Sequence, residues 1–108
     1  MTILSSLPCH AVIFVSQRRG DDNGYGAMAQ HMATLASQQP GFVGVHSARD
    51  AAGKGITVVF FDTEQAATNW GRHPEHRVAQ QSGRGEWYES FEIYHSRVER
   101  GYTWKRDE

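Results

Sequence analysis

Ala11-Val12-Ile13-Phe14-Val15 form an unbroken apolar run inside His10 to Arg18. Such a run, rich in β-branched residues, predicts a strand covered on both faces. Gly20-Asp21-Asp22-Asn23-Gly24 follows as a turn cluster that supplies helix N-cap residues. Tyr25, Met28, Ala29, Met32, Leu35 and Ala36 then recur with the spacing of one helix face, and Pro40-Gly41 stops that helix. Phe42 to Arg49 reads as a second strand, Asp50 to Gly55 as a hairpin loop, and Ile56 to Phe61 as a third strand, again apolar on both faces. Asp62, with Gln65 in capping-box position, predicts a helix whose inner face carries Ala66, Ala67 and Trp70. Gly71 to Pro74 breaks it, and Pro74 suits the first turn of a short helix to Ser82, which Gly83 ends. A strand from Trp87 to Arg100 closes the chain, while Met1 to Cys9 shows no period and reads as a loose lead-in.

The order is β-α-β-β-α-β with the second helical segment broken in two. That predicts an α+β, ferredoxin-like fold: an antiparallel sheet with helices on one face. It places a single domain at 10–104, between a lead-in at 1–9 and a tail at 105–108. Because strands one and three are apolar on both sides, the uncovered sheet face would present Val, Ile and Phe to water, which signals a partner. The last strand, at about fourteen residues against a mean of five to six, is long enough to reach a second subunit. The expectation is a homodimer whose two sheets close a dimeric α/β barrel.

Charge adds only exclusions. Eleven Lys and Arg against twelve Asp and Glu leave a net charge of -1, so no global field draws in nucleic acid. An RNA-binding reading of the same element order would need exposed sheet aromatics flanked by basic residues. No apolar run approaches the ~20 residues of a membrane span. The single cysteine, Cys9, permits no intramolecular disulfide and no thiolate metal cluster. No secretory signal is visible, so a reduced, cytoplasmic protein is the expectation.

Gly24-Tyr25-Gly26-Ala27-Met28-Ala29 matches G-x-G-x-x-A between a strand and a helix. A dinucleotide site needs repeated parallel βαβ units, which this element order lacks, and Asp21 and Asp22 would repel a pyrophosphate. His73-Pro74-Glu75-His76 has i, i+3 spacing rather than the i, i+4 of a helical zinc pair, so no metal site is expected. Trp70, beside Asn69 at the end of a short helix, is either a core residue or the aromatic wall of a cleft with His76 as proton carrier. Tyr25 is a further candidate wall or core residue. Trp87 and Tyr88 suit either a pocket or a dimer interface. An open, polar Trp70–His76 region would favour a ligand, and one filled by Met28 and Met32 would favour packing alone.

These residues carry a resemblance. Ala11 to Gln17, Gln39-Pro-Gly-Phe-Val-Gly-Val45, Gly55-Ile-Thr-Val58, His76 to Arg84 with Trp87-Tyr88, and Arg97 to Tyr102 resemble the antibiotic biosynthesis monooxygenase family. The resemblance covers about residues 10 to 104 and implies a dimeric α+β barrel. It implies a homodimer acting on a small planar aromatic, phenolic or quinol-type molecule with O2 and no cofactor. It assigns Trp70, His76 and Asn69 to the catalytic region, with Ser16, Gln17, Tyr25, His73 and Trp87 around the substrate. The haem-cleaving branch matches less well. It has an asparagine where Ser16-Gln17 stand, and its iron-binding histidine falls at Gln80, leaving His73 or His76 as substitutes. A non-catalytic dimeric binding or stress protein is the third reading.

Overall fold

The computed structural model describes residues 3–22 and 24–107. The start of the lead-in (Met1 and Thr2), Asn23 of the turn cluster and Glu108 of the tail lie outside the described residues. Seven principal elements follow in order: β1 (Cys9–Arg18), α1 (Tyr25–Ser37), β2 (Phe42–Arg49), β3 (Lys54–Phe61), α2 (Glu64–Gly71), α3 (Pro74–Ser82) and β4 (Tyr88–Val98). The four strands form one sheet in the order β2-β3-β1-β4, every neighbouring pair antiparallel. This is the ferredoxin-like α+β architecture that the element order predicts.

Register decides which residues share a face, because side chains alternate along a strand. Val12 pairs with Val59 and His10 with Phe61, on the side where the core lies. There Phe61 is completely buried among Ala36 of α1 and Ala67 and Trp70 of α2, with Met32, Leu35 and Phe42 packed around them. The opposite face carries Ile13 between Val58 and Tyr94, and Val15 beside Ile56. Among the described residues no α-helix covers it: Ile56 is 49% exposed and Tyr94 50%.

Local chemistry explains the connections, with four departures from the sequence pattern. Gly41, at φ +85°, turns the chain from α1 into β2. α2 is capped by Thr63, not Asp62: its hydroxyl accepts from the Ala66 N–H at 3.1 Å. Gln65 makes no capping box and instead donates to Asn69 Oδ1 at 2.9 Å. Gly83 does not end the helical path. It stays right-handed and starts a π-helical segment, Gly83–Trp87, so β4 begins one residue late and closes at Val98. The lead-in is not wholly loose. A 3-10 turn spans Ile3–Ser6. Ile3, Leu4 and Leu7 line an open hollow of ≈ 580 Å³ with Val43, Phe60 and Val98.

Candidate functional site

Two side-chain clusters stand on the helix side of the sheet, near opposite ends of β1. The first grows from the break between α2 and α3. The Trp70 carbonyl closes that break by accepting from the His73 N–H at 3.0 Å. His73 caps α3, its Nδ1 accepting from the Glu75 N–H at 3.2 Å, and Pro74 occupies the first turn, where no amide donor is needed. One turn on, His76 folds back over Trp70. The two rings are parallel to within 13° with centres 4.2 Å apart. His76 Nδ1 lies 3.0 Å from the Trp70 carbonyl oxygen.

That hydrogen bond settles the tautomer. A carbonyl can only accept, so Nδ1 carries the proton. Nε2 then holds the lone pair, and no partner engages it among the described residues. Burial lowers the His76 pKa, with the neighbouring His73 adding to the effect and the Trp70 hydrogen bond opposing it. His76 is therefore a neutral base near pH 7. Trp70 itself is 7% exposed and belongs to the core with Ala36, Phe61 and Ala67, and Met32 packs against the same group. Asn69 lies on the exposed side of α2, held by Gln65.

The second cluster gathers at the far end of β1. From the level of Phe61 to that of Ser16 is six residues of strand, or about 20 Å at ~3.3 Å per residue. Ser16 is 2% exposed. Its hydroxyl accepts from Arg49 Nη2 at 2.8 Å, and its carbonyl from Nη1 at 3.4 Å. Arg49 and Ser16 are not on adjacent strands; both face Gly55 of β3, which lies between them. The arginine can cross only because position 55 has no side chain: a Cβ there would lie 2.5 Å from the guanidinium carbon.

Arg49 Nη2 also donates to the Tyr25 hydroxyl at 3.3 Å, and so does the Tyr88 hydroxyl at 3.3 Å. Arg18 places its guanidinium carbon 4.0 Å from the Tyr25 ring centre and donates to the Trp87 carbonyl. Burial, then the hydrogen bond to Tyr25, push the Tyr88 phenol well above its usual pKa, so it remains protonated and a donor. Phe14 and Phe91 pack beside Tyr88, ring centres 5.3 and 6.0 Å away.

Of the residues singled out from sequence, Trp70, His73 and His76 come together in the first cluster, and Ser16, Tyr25 and Trp87 in the second. Asn69 faces outward. Gln17, one residue after Ser16, is on the other side of the sheet and donates to the Ala52 carbonyl at 2.8 Å, tying down the β2–β3 hairpin. Sequence reasoning missed Arg18 and Arg49. Gly55 opposite a strand arginine was the only sequence signal for Arg49, and it becomes legible only once the register is known.

Residues 8–82 match the model of the antibiotic biosynthesis monooxygenase family. The chain is 46% identical over 93 residues to the uncharacterized protein YqjZ of Bacillus subtilis, covering 86% of this chain and 82% of that one. Its fold is similar to SnoaB, a cofactor-independent oxygenase from Streptomyces nogalater, with TM-score 0.70 and 13% identity over 93% of this chain and 96% of that one. It is also similar to a conserved protein from Methanosarcina mazei Go1, with TM-score 0.76 and 9% identity over 87% and 96% of the two chains.

Proposed function

The chain belongs to the antibiotic biosynthesis monooxygenase family, and on that footing we propose that it is a cofactor-independent monooxygenase acting on a planar phenolic or quinol-type molecule. The observation that carries the reading is the state of His76. Its ring is flat on Trp70, its Nδ1 proton is committed to a carbonyl, and its Nε2 lone pair is available. A neutral imidazole in that state can take a proton from a weakly acidic carbon or phenol.

The chemistry needs little else from the protein. For an anthrone, Nε2 removes a proton from the ring CH2 and leaves a delocalised carbanion. The carbanion gives one electron to O2, and the resulting radical and superoxide combine at that carbon. The peroxide takes up the proton held by His76, and loss of water leaves a ketone. One CH2 and one O2 become one C=O and one H2O, and all the electrons come from the substrate. Trp70 supplies an apolar wall beside the base, which keeps water from competing for the proton.

The protein acts as a homodimer. The helix-free sheet face, with Ile13, Val15, Ile56, Val58 and Tyr94, is the surface a second copy would cover. The haem-cleaving alternative finds Ser16-Gln17 in place of its first-strand asparagine and Gln80 at the position of its iron ligand. The test is an anthrone and quinol screen under O2 with an oxygen electrode. The expected result is one O2 consumed per anthrone oxidised, with no added cofactor, and a loss of that rate in His76→Ala. A haem titration that saturates at one per subunit and proceeds to an open-chain product would overturn the reading.

A further inference from the structure

We propose that the cluster around Arg49 and Tyr25 is a binding site for the carboxylate of a small aromatic acid. The inference does not rest on the oxygenase reading, because the cluster is separate from His76 and its test reads binding.

Three observations carry it. First, the site is built. Arg49 is led across the sheet over Gly55 and held by the Ser16 hydroxyl, the Ser16 carbonyl and the Gly53 carbonyl, the last at 2.6 Å. Second, its charge is not neutralised. Arg49 and Arg18 both lie by the Tyr25 ring, at 5.8 and 4.0 Å from its centre, and among the described residues neither is ion-paired to a carboxylate. Of the carboxylates near in sequence, Asp22 accepts from the N–H groups of Gly24 and Gly26, and Asp50 from that of Lys54, while Asp21 meets Arg18 only through its backbone carbonyl, at 3.1 Å. Two guanidinium charges with only neutral acceptors attract an anion.

Third, the Tyr25 hydroxyl oxygen already accepts two hydrogen bonds, from Arg49 and Tyr88, and its own O–H has no acceptor among the described residues. A carboxylate oxygen supplies that acceptor. The body of the ligand follows from the floor of the cluster. Phe14, Tyr88 and Phe91 pack edge to face or tilted, and Ile93, on the same face of β4 as Phe91, is 48% exposed. An apolar planar ring covers such a floor, whereas inorganic phosphate leaves it wet.

The experiment is calorimetric titration of the full chain with benzoate, with benzamide as the uncharged analogue and inorganic phosphate as an anion without a ring. Benzoate should bind, and benzamide and phosphate should each bind at least about tenfold more weakly, since a charge-assisted contact or the ring contact is lost. Arg49→Met should weaken benzoate at least about tenfold. Tyr25→Phe, which deletes only the hydroxyl, should weaken it severalfold. Gly55→Ala removes no functional group yet fills the slot under Arg49, and it should weaken benzoate as Arg49→Met does; circular dichroism checks that each variant is folded. If Gly55→Ala does not fold, Tyr25→Phe and Arg49→Met decide. The proposal is overturned if benzoate fails to bind at millimolar concentration, if phosphate or benzamide binds equally well, or if folded Arg49→Met and Tyr25→Phe bind benzoate unchanged.

Discussion

His76 lies on Trp70 with ring centres 4.2 Å apart, and donates its Nδ1 proton to the carbonyl of that same residue at 3.0 Å. One residue therefore sets the position and tautomer of the other, while burial keeps the ring neutral. Replacing His76 by Ala removes a stacked ring and one hydrogen bond from a partly exposed site, which costs about 1–2 kcal/mol of stability. Loss of a general base costs about 10²–10⁴-fold in rate. Turnover of an active anthrone should thus collapse while the thermal midpoint drops by a few degrees. Equal losses of rate and folded fraction would make His76 purely structural.

Trp70 should behave in the opposite way. It fills the core beside Phe61 and Ala67, so Trp70→Ala should cost about 3–5 kcal/mol, read by denaturant unfolding. Trp70→Phe keeps most of that packing and should recover the greater part of the loss.

Acid should weaken the fold through two histidines. Burial lowers the pKa of His76, and burial with the nearby His95 lowers that of His10, against a small opposing effect of Glu64. His10 Nε2 is 2.8 Å from His95 Nδ1, an arrangement that needs at least one neutral ring. In both cases the unfolded chain binds protons more readily than the folded one. Their contribution is complete above the unfolded value, near 6.5, and is lost as the pH falls through the lower folded values. Urea midpoints should be level between about pH 8 and 7 and fall toward pH 5, with a shallower fall in His76→Gln. Identical midpoints at both ends of that range would contradict this.

The turn at Gly41 should tolerate no side chain. Its φ is +85°, and a Cβ there would lie 2.4 Å from Asp62 Oδ1 and 2.7 Å from the Ala66 Cβ. Gly41→Ala should cost more than the ~1 kcal/mol of left-handed strain alone. Thr63→Ala, which loses the true cap of α2, should cost about 1 kcal/mol, and Gln65→Ala far less.

The helix-free sheet face should control assembly. Ile56→Glu puts a charge on an inner strand of that face without disturbing the core on the other side. It should turn a dimer into a monomer by light scattering. A wild-type chain that is monomeric at micromolar concentration would remove the dimer from the proposed function.

The elements were legible because their signals are local. The Ala11–Val15 run, the Tyr25–Ala36 spacing and the Pro40-Gly41 stop each report backbone preference within one element, and each is found where the pattern puts it. The cap of α2 was misread by one residue because Asp62 and Thr63 are both good caps, and only the chain's exit from β3 selects between them. Gly83 was misread because a glycine after a helix can end it or let it widen, and Trp87, buried beyond it, draws the chain into the wider turn.

The sequence by itself determined the order of elements and the antiparallel sheet with helices on one side, and it set Trp70 and His76 six residues apart across a short break, without showing that their rings stack. Only the tertiary structure decided the rest. Arg49 meets Ser16 from 33 residues away, and Tyr88 meets Tyr25 from 63. Contacts at that separation depend on strand register, and a shift of one residue would have turned Ser16 to the opposite face. Register is set by the sum of burial over the whole sheet, which no local stretch of sequence contains.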